Sequence, residues 1–154
     1  MVEIIEHQRP GFLISTDPAR LQINVIYAFL SQQSYWAQGR SLETVRLSIE
    51  HSLCFGVYAL APDDPEKISQ VGLARVVTDY ATFAWLCDVF ILDSHRQYGL
   101  GKWLVDCVTN QPPLNTVRRF ILATRDAHEL YRKYGGFDTL TNPERWMIRI
   151  NNQQ

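Results

Sequence analysis

Asp93-Ser94-His95-Arg96-Gln97-Tyr98-Gly99-Leu100-Gly101-Lys102 joins an apolar stretch, Thr82–Leu92, to a helical one, Gly99–Asn110. At a helix start the first backbone N–H groups have no partner and the helix dipole is positive, a combination that favours a polyanion. Gly99 and Gly101 remove side chains that would keep a phosphate from those donors, while Arg96 and Lys102 add positive charge. The turn therefore reads as a phosphate cradle. It is not a dinucleotide fingerprint, because position 104 is Leu and not the required third glycine. Nor is it a P-loop, because Trp103 and not Ser or Thr follows Lys102.

Outward from this turn, strand and helix periods alternate. Phe12–Ser15 is a short apolar run, and Asp17 with Pro18 supplies an N-cap and a proline for a helix predicted to reach about Leu30. Leu42, Val45 and Ile49 mark a second amphipathic helix over Ser41–Ser52. Phe55–Ala61 and Val71–Val77 read as a hairpin around the Pro62–Lys67 turn. Thr82–Leu92 is apolar on both parities, as in a central strand covered on both faces. Phe120–Ala123 reads as a strand and Ala127–Tyr134 as a helix, announced by the capping-box-like pair Asp126 and Glu129. Trp146–Ile150 is expected to close the sheet. The order is that of an α/β chain with a mixed sheet.

Composition narrows the function. The 154 residues suit one domain, 1–154, with 46% hydrophobic and 20% charged residues, well inside the range of chains that fold. A net charge of -1 and the lack of a Lys/Arg cluster argue against nucleic acid. No apolar stretch reaches bilayer-spanning length and the start lacks a signal-peptide pattern, so no membrane is expected and the cytoplasm is the expected location. Cys54, Cys87 and Cys107 lie apart within apolar runs and read as buried free thiols. The four histidines are scattered, without a metal-binding spacing, and no metal is expected.

Arg96-x-x-Gly99-x-Gly101 after an apolar strand resembles the pyrophosphate loop of the GNAT superfamily of N-acetyltransferases. Ala127-His128-Glu129-Leu130-Tyr131, followed by Gly135-Gly136-Phe137, resembles a second motif of that family. The likeness extends over nearly the whole chain. It implies a GNAT fold: a central mixed, mostly antiparallel sheet with splayed middle strands, flanked by helices on both faces. It also implies transfer of an acetyl group from acetyl-CoA to a primary amine by direct attack. The acceptor would be a small molecule or a protein amine, and a homodimer would be in keeping with the family.

The resemblance assigns roles residue by residue. Arg96, Gln97, Tyr98, Gly99, Leu100, Gly101 and Lys102 would hold the cofactor, the backbone of Phe90 and Ile91 would face its thioester, and Tyr131 would be the acid for the departing thiolate. Thr124 stands where family members often carry a cofactor-contacting Asn. Asp88, a carboxylate in an apolar strand, must be paired, hydrogen-bonded or open to a cleft. It reads either as a general base, acting directly or through water, or as the ion-pair partner of an arginine such as Arg75. Tyr35, Trp36 and Arg40, in the link between the first two helices, are the candidates for substrate contact. The alternative function is a catalytically silent module that binds CoA or acyl-CoA. Such a module would keep the turn but could dispense with Asp88 and Tyr131, both of which are present.

Overall fold

A computed structural model describes residues 3–151. Strands β1 (Glu6–Arg9), β2 (Phe12–Ser15), β3 (Leu53–Ala61), β4 (Asp64–Thr78), β5 (Phe83–Ile91) and β6 (Arg119–Leu122) form a sheet in that spatial order. Every neighbouring pair is antiparallel except β5 and β6, which are parallel. The helices are α1 (Ile23–Ala28), α2 (Leu42–Glu50), α3 (Leu100–Asn110) and α4 (His128–Gly135).

Two cores define two layers. Ile26, Phe29, Leu30 and Val45, from α1, α2 and their link, pack on Leu73 and Phe90, with the rings of Phe29 and Phe90 stacked 4.1 Å apart. A larger cluster sets Trp103, Leu104 and Val108 of α3 and Tyr131 of α4 against Val57, Val76, Leu86 and Ile91. Helices thus lie on both faces of the sheet, as expected from the resemblance.

Several boundaries differ from the sequence expectation. Asp17 does cap a helical turn, accepting from Ala19 N–H at 2.9 Å, but the turn ends at Arg20. The chain restarts only at Ile23, because Gln22 is drawn into a reciprocal pairing with Gln70. It then widens into a π turn over Phe29–Gln33. The hairpin turn is tighter than Pro62–Lys67, since β4 already begins at Asp64 and carries Pro65. The start of α4 is not held by a capping box: Thr124 Oγ1 accepts from Ala127 N–H at 3.1 Å, while Asp126 faces Arg125. Trp146–Ile150 does not close the sheet and lies outside it.

The decisive irregularity is in β5. Cys87 pairs with Arg75 and Phe90 with Leu73, so Asp88 and Val89 oppose the single residue Ala74. This is a β-bulge, and Asp88 occupies it with φ +52°, a left-handed conformation that aspartate tolerates better than most side chains. Pairing with β6 runs only from Phe83–Arg119 to Leu86–Leu122. From Cys87 onward the two parallel strands part. Trp85, still within the paired stretch, is itself 42% exposed, so β5 is not covered on both faces throughout.

The three cysteines are free. Burial pushes Cys54 up to about 12 and Cys87 and Cys107 up to about 11, so little thiolate exists at neutral pH. Labelling of the folded chain by a disulfide reagent is expected to be roughly a hundredfold or more slower than that of free cysteine. Rapid uptake of one equivalent would show a reactive thiol, and Cys87 would be the first suspect.

Candidate active site

The parting of β5 and β6 opens a cleft of about 490 Å3. Its walls are β5 from Trp85 to Val89, Leu122 at the end of β6, the segment Ala123–Ala127, Tyr131 of α4, and Tyr35, Trp36 and Arg40 from the link between α1 and α2. The sequence candidates Asp88, Tyr131, Thr124, Tyr35, Trp36 and Arg40 therefore meet in one place, although nearly a hundred positions separate the first from the last.

Asp88 organises the floor of the cleft. It is 4% exposed and receives three donors: Arg75 Nε at 2.7 Å, Arg40 Nη1 at 2.9 Å and Trp36 Nε1 at 2.8 Å. The pairing with Arg75 offered by the sequence is present. Burial works to raise the carboxyl's pKa, but Arg75, Arg40 and the hydrogen bonds outweigh it and hold it below the ordinary carboxylate value. Through this one group the link that carries Trp36 and Arg40 is tied to the bulge of β5.

Tyr35 is fixed differently. Its hydroxyl accepts from Arg125 N–H at 2.9 Å, and the Arg125 guanidinium lies 3.8 Å over its ring. Trp85 and Arg125 line the cleft without having been singled out in the sequence, and Arg75, offered there as a partner for Asp88, lines it too. A tryptophan amid the apolar residues of β5 could have drawn attention, whereas nothing local distinguishes Arg125 from any surface arginine.

Tyr131 is buried beside Phe137 and lines the cleft. Its phenol is pushed up to about 12, first by burial, and so remains a hydrogen-bond donor across the physiological range. Tyr134, the nearest competitor for its role, packs at the edge of the larger core with Lys102 Nζ 5.5 Å from its ring centroid, away from the cleft.

At the far end of β5 the chain enters the glycine turn. A 3-10 turn over Asp93–Tyr98 ends on Gly99 at φ +69°, which is also the N-cap of α3. No side chain caps that helix, so its first N–H groups stay available. Arg96 braces the turn, donating from Nε to the Ile91 carbonyl at 3.1 Å and pairing with Asp93 at 2.8 Å. Gln97, Tyr98 and Lys102 are exposed, whereas Leu100 is core.

The two glycines have different reasons. Gly99 is required by its positive φ. Gly101 is helical, and a Cβ there would meet only Ile91 Cγ1 at 3.9 Å, an ordinary contact. Glycine inside a helix costs about 1 kcal/mol relative to alanine, and nothing within the protein demands it here. The position leaves room for close approach of a group from outside, and the uncapped N–H groups would suit an anion there. The residues present fit the diphosphate of a CoA thioester.

The sheet thus splays beside an uncapped, glycine-lined helix start. Residues 23–137 match the acetyltransferase (GNAT) family. A protein of Gibberella zeae named as a candidate acetyltransferase is 34% identical over 152 residues, which cover 86% of this chain and 84% of that one. The crystal structure of a candidate acetyltransferase of the GNAT family from Xanthomonas campestris pv. campestris superposes with a TM-score of 0.83. It is 44% identical and covers 94% of this chain and 96% of its own. A candidate acetyltransferase of Clostridium acetobutylicum, crystallised with acetyl-CoA, shares the fold at a TM-score of 0.58 and 14% identity, over 91% of this chain and 94% of its own. The chain belongs to the GNAT acetyltransferase family. Among its described residues no helix is long and apolar enough to cross a membrane, and no group of three or more His, Cys, Asp or Glu could hold a metal ion.

Proposed function

We propose that the protein transfers an acetyl group from acetyl-CoA to a primary amine by direct attack, without nucleic acid, membrane or metal, in the cytoplasm. The observation that carries this reading is Gly101, a helical glycine that no neighbour in the protein requires, at an uncapped helix start one turn beyond the splayed strand. The acetyl-CoA bound to the Clostridium acetobutylicum protein of like fold supports it.

In the reaction the amine nitrogen bonds to the thioester carbonyl carbon, the carbon–sulfur bond breaks, the nitrogen's extra proton leaves to water, and the sulfur departs as thiolate. The chain's own groups divide the work. The N-terminus of α3, with Gly99 and Gly101, binds the diphosphate. The side of β5 left without a strand partner beyond Leu86, including the backbone of Phe90 and Ile91, faces the carbonyl. Tyr131 donates to the sulfur as its charge develops.

Asp88 is better suited to positioning than to proton abstraction, since three donors already hold its charge. Removal of the ammonium proton has another aid. Arg40, Arg75 and Arg125 line the cleft against Asp88 and Asp126, and that positive surplus lowers the pKa of a bound ammonium. It also disfavours polycationic acceptors. Tyr35, Trp36 and Trp85 offer aromatic walls to an apolar body on the acceptor.

The test is an acetyl-CoA turnover screen over a panel of amines, read by released thiol. Binding of CoA without turnover of any amine would favour the silent module. For a productive amine, Tyr131→Phe is expected to lower turnover about 10- to 100-fold with CoA affinity and stability little changed, while Tyr134→Phe leaves turnover alone. Normal turnover in both variants would mean that the thiolate leaves without help from the protein.

A further inference from the structure

The floor of the cleft carries a charge that its own residues do not balance. Arg40 Nη1 at 2.9 Å and Arg75 Nε at 2.7 Å both donate to Oδ2 of Asp88, while Trp36 Nε1 donates to Oδ1 at 2.8 Å. Two guanidiniums thus share one carboxylate, and that carboxylate has a donor on each oxygen. Arg125 and Asp126, the other charges on the walls, lie 3.5 Å apart with side chains 65% and 64% exposed, so they balance each other in water. The surplus positive charge therefore sits with Arg40 and Arg75, whose side chains are only 22% and 9% exposed.

Their remaining N–H groups are open to a guest. Arg75 Nη1 donates to Ser52 Oγ at 3.0 Å, but among the described residues Arg75 Nη2 and Arg40 Nε and Nη2 have no hydrogen-bond partner. The only buried side-chain polar atom left without a partner among those residues is the Tyr58 hydroxyl, so these groups are not sealed within protein, and the cleft is the opening that both arginines line. A guanidinium presents its N–H groups as a planar fork that fits a carboxylate. Around the same cavity Tyr35, Trp36 and Trp85 are 42%, 39% and 42% exposed, three large rings left partly in water.

We infer that the acceptor is an α-amino acid with an apolar or aromatic side chain, its carboxylate bound by Arg40 and Arg75 and its side chain lying against Tyr35, Trp36 and Trp85. In the proposed reaction, on which this assignment rests, the acceptor nitrogen must reach the thioester beside Phe90. Asp88, which gathers the two arginines, stands only two residues before Phe90 on β5. The anionic group and the reacting nitrogen must therefore be close together, and an α-amino acid separates them by one carbon. Its carboxylate supplies the negative charge that the arginine pair lacks, and a buried charge that is paired and hydrogen-bonded escapes the cost of an uncompensated one.

Calorimetric titration of the full chain, with and without CoA, tests this with N-acetylphenylalanine and N-acetylphenylalaninamide, two probes that share a ring, carry no amine and differ by one charge. The acid is expected to bind roughly tenfold or more tighter than the amide, and N-acetylglycine roughly tenfold or more weaker than N-acetylphenylalanine. Arg40→Met, which leaves Arg75 and Asp88 as a neutral pair, should bring acid and amide to near parity, whereas Arg40→Lys should keep part of the preference. Equal affinities in either wild-type comparison, or no binding of the acid at millimolar concentration, would overturn the inference whether or not the variants fold. A full preference retained in Arg40→Met would take the carboxylate away from this pair. The two readings fail separately. Turnover of amines without a preference for the acid removes the carboxylate site alone, while that preference without turnover of any amine removes the reaction and leaves the carboxylate site standing.

Discussion

Gly101→Asp is expected to abolish the stabilisation that CoA confers on the wild-type chain. A ligand that binds only the folded state adds about 2.7 kcal/mol at a hundred times its dissociation constant, roughly 5–10 °C in Tm for a chain of this size. In the variant that shift should fall to near zero at the same concentration. The fold itself should be spared, since the position is helical and a Cβ meets only Ile91 at 3.9 Å. An aspartate in the first turn is even favoured by the helix dipole, so the carboxylate takes for itself the field that would hold the diphosphate. Gly99→Asp would be less informative, because φ +69° strains any side chain whether or not a ligand binds there. Gly101→Ala completes the test: it should match or exceed the wild type in Tm without ligand and still bind CoA more weakly. Wild-type shifts in both Gly101 variants would remove the diphosphate from this turn.

This turn was legible from the sequence because all its determinants are local: a buried strand, two glycines and a helix start in consecutive order. The layers followed from the period of the apolar residues. What escaped is non-local. β1, Glu6–Arg9, has no apolar signal of its own and exists because β2 offers it an edge. The break at Gln22 depends on Gln70, forty-eight residues away, and Arg125 gains a role only through its contact with Tyr35. The bulge at Asp88 is visible only when β4 is laid against β5. Trp146–Ile150 has the composition of a strand and none of the environment of one, with Met147, Ile148 and Ile150 left exposed outside the sheet. Thr124 shows the opposite case: it stands where the family often carries an Asn, and its hydroxyl already accepts from the Ala127 N–H just ahead of α4.

Asp88→Asn is expected to destabilise the protein by about 3 kcal/mol, roughly 6–12 °C in Tm, because an amide cannot neutralise the two guanidiniums that the carboxylate serves. Arg75 would suffer most, as its side chain is only 9% exposed and it otherwise donates to the neutral hydroxyl of Ser52. Arg40 and Trp36 would lose their common anchor, so turnover should fall with stability and the acceptor KM should rise more than kcat falls. The pH dependence gives an independent reading. Asp88 is held below its ordinary value of 3.8, so its contribution to stability is fully present above that value and is lost as pH falls through the lower folded value. The Tm gap between wild type and variant should therefore be constant from pH 8 to about 5 and should narrow below about 4, where the carboxyl of the unfolded wild-type chain takes up a proton that the folded one still refuses. Whatever activity remains should rise with pH along the same curve as the wild type, because the titrating group in that range is the acceptor amine. A variant of unchanged Tm whose turnover has dropped by a hundredfold or more, with KM intact, would instead return the role of general base to Asp88.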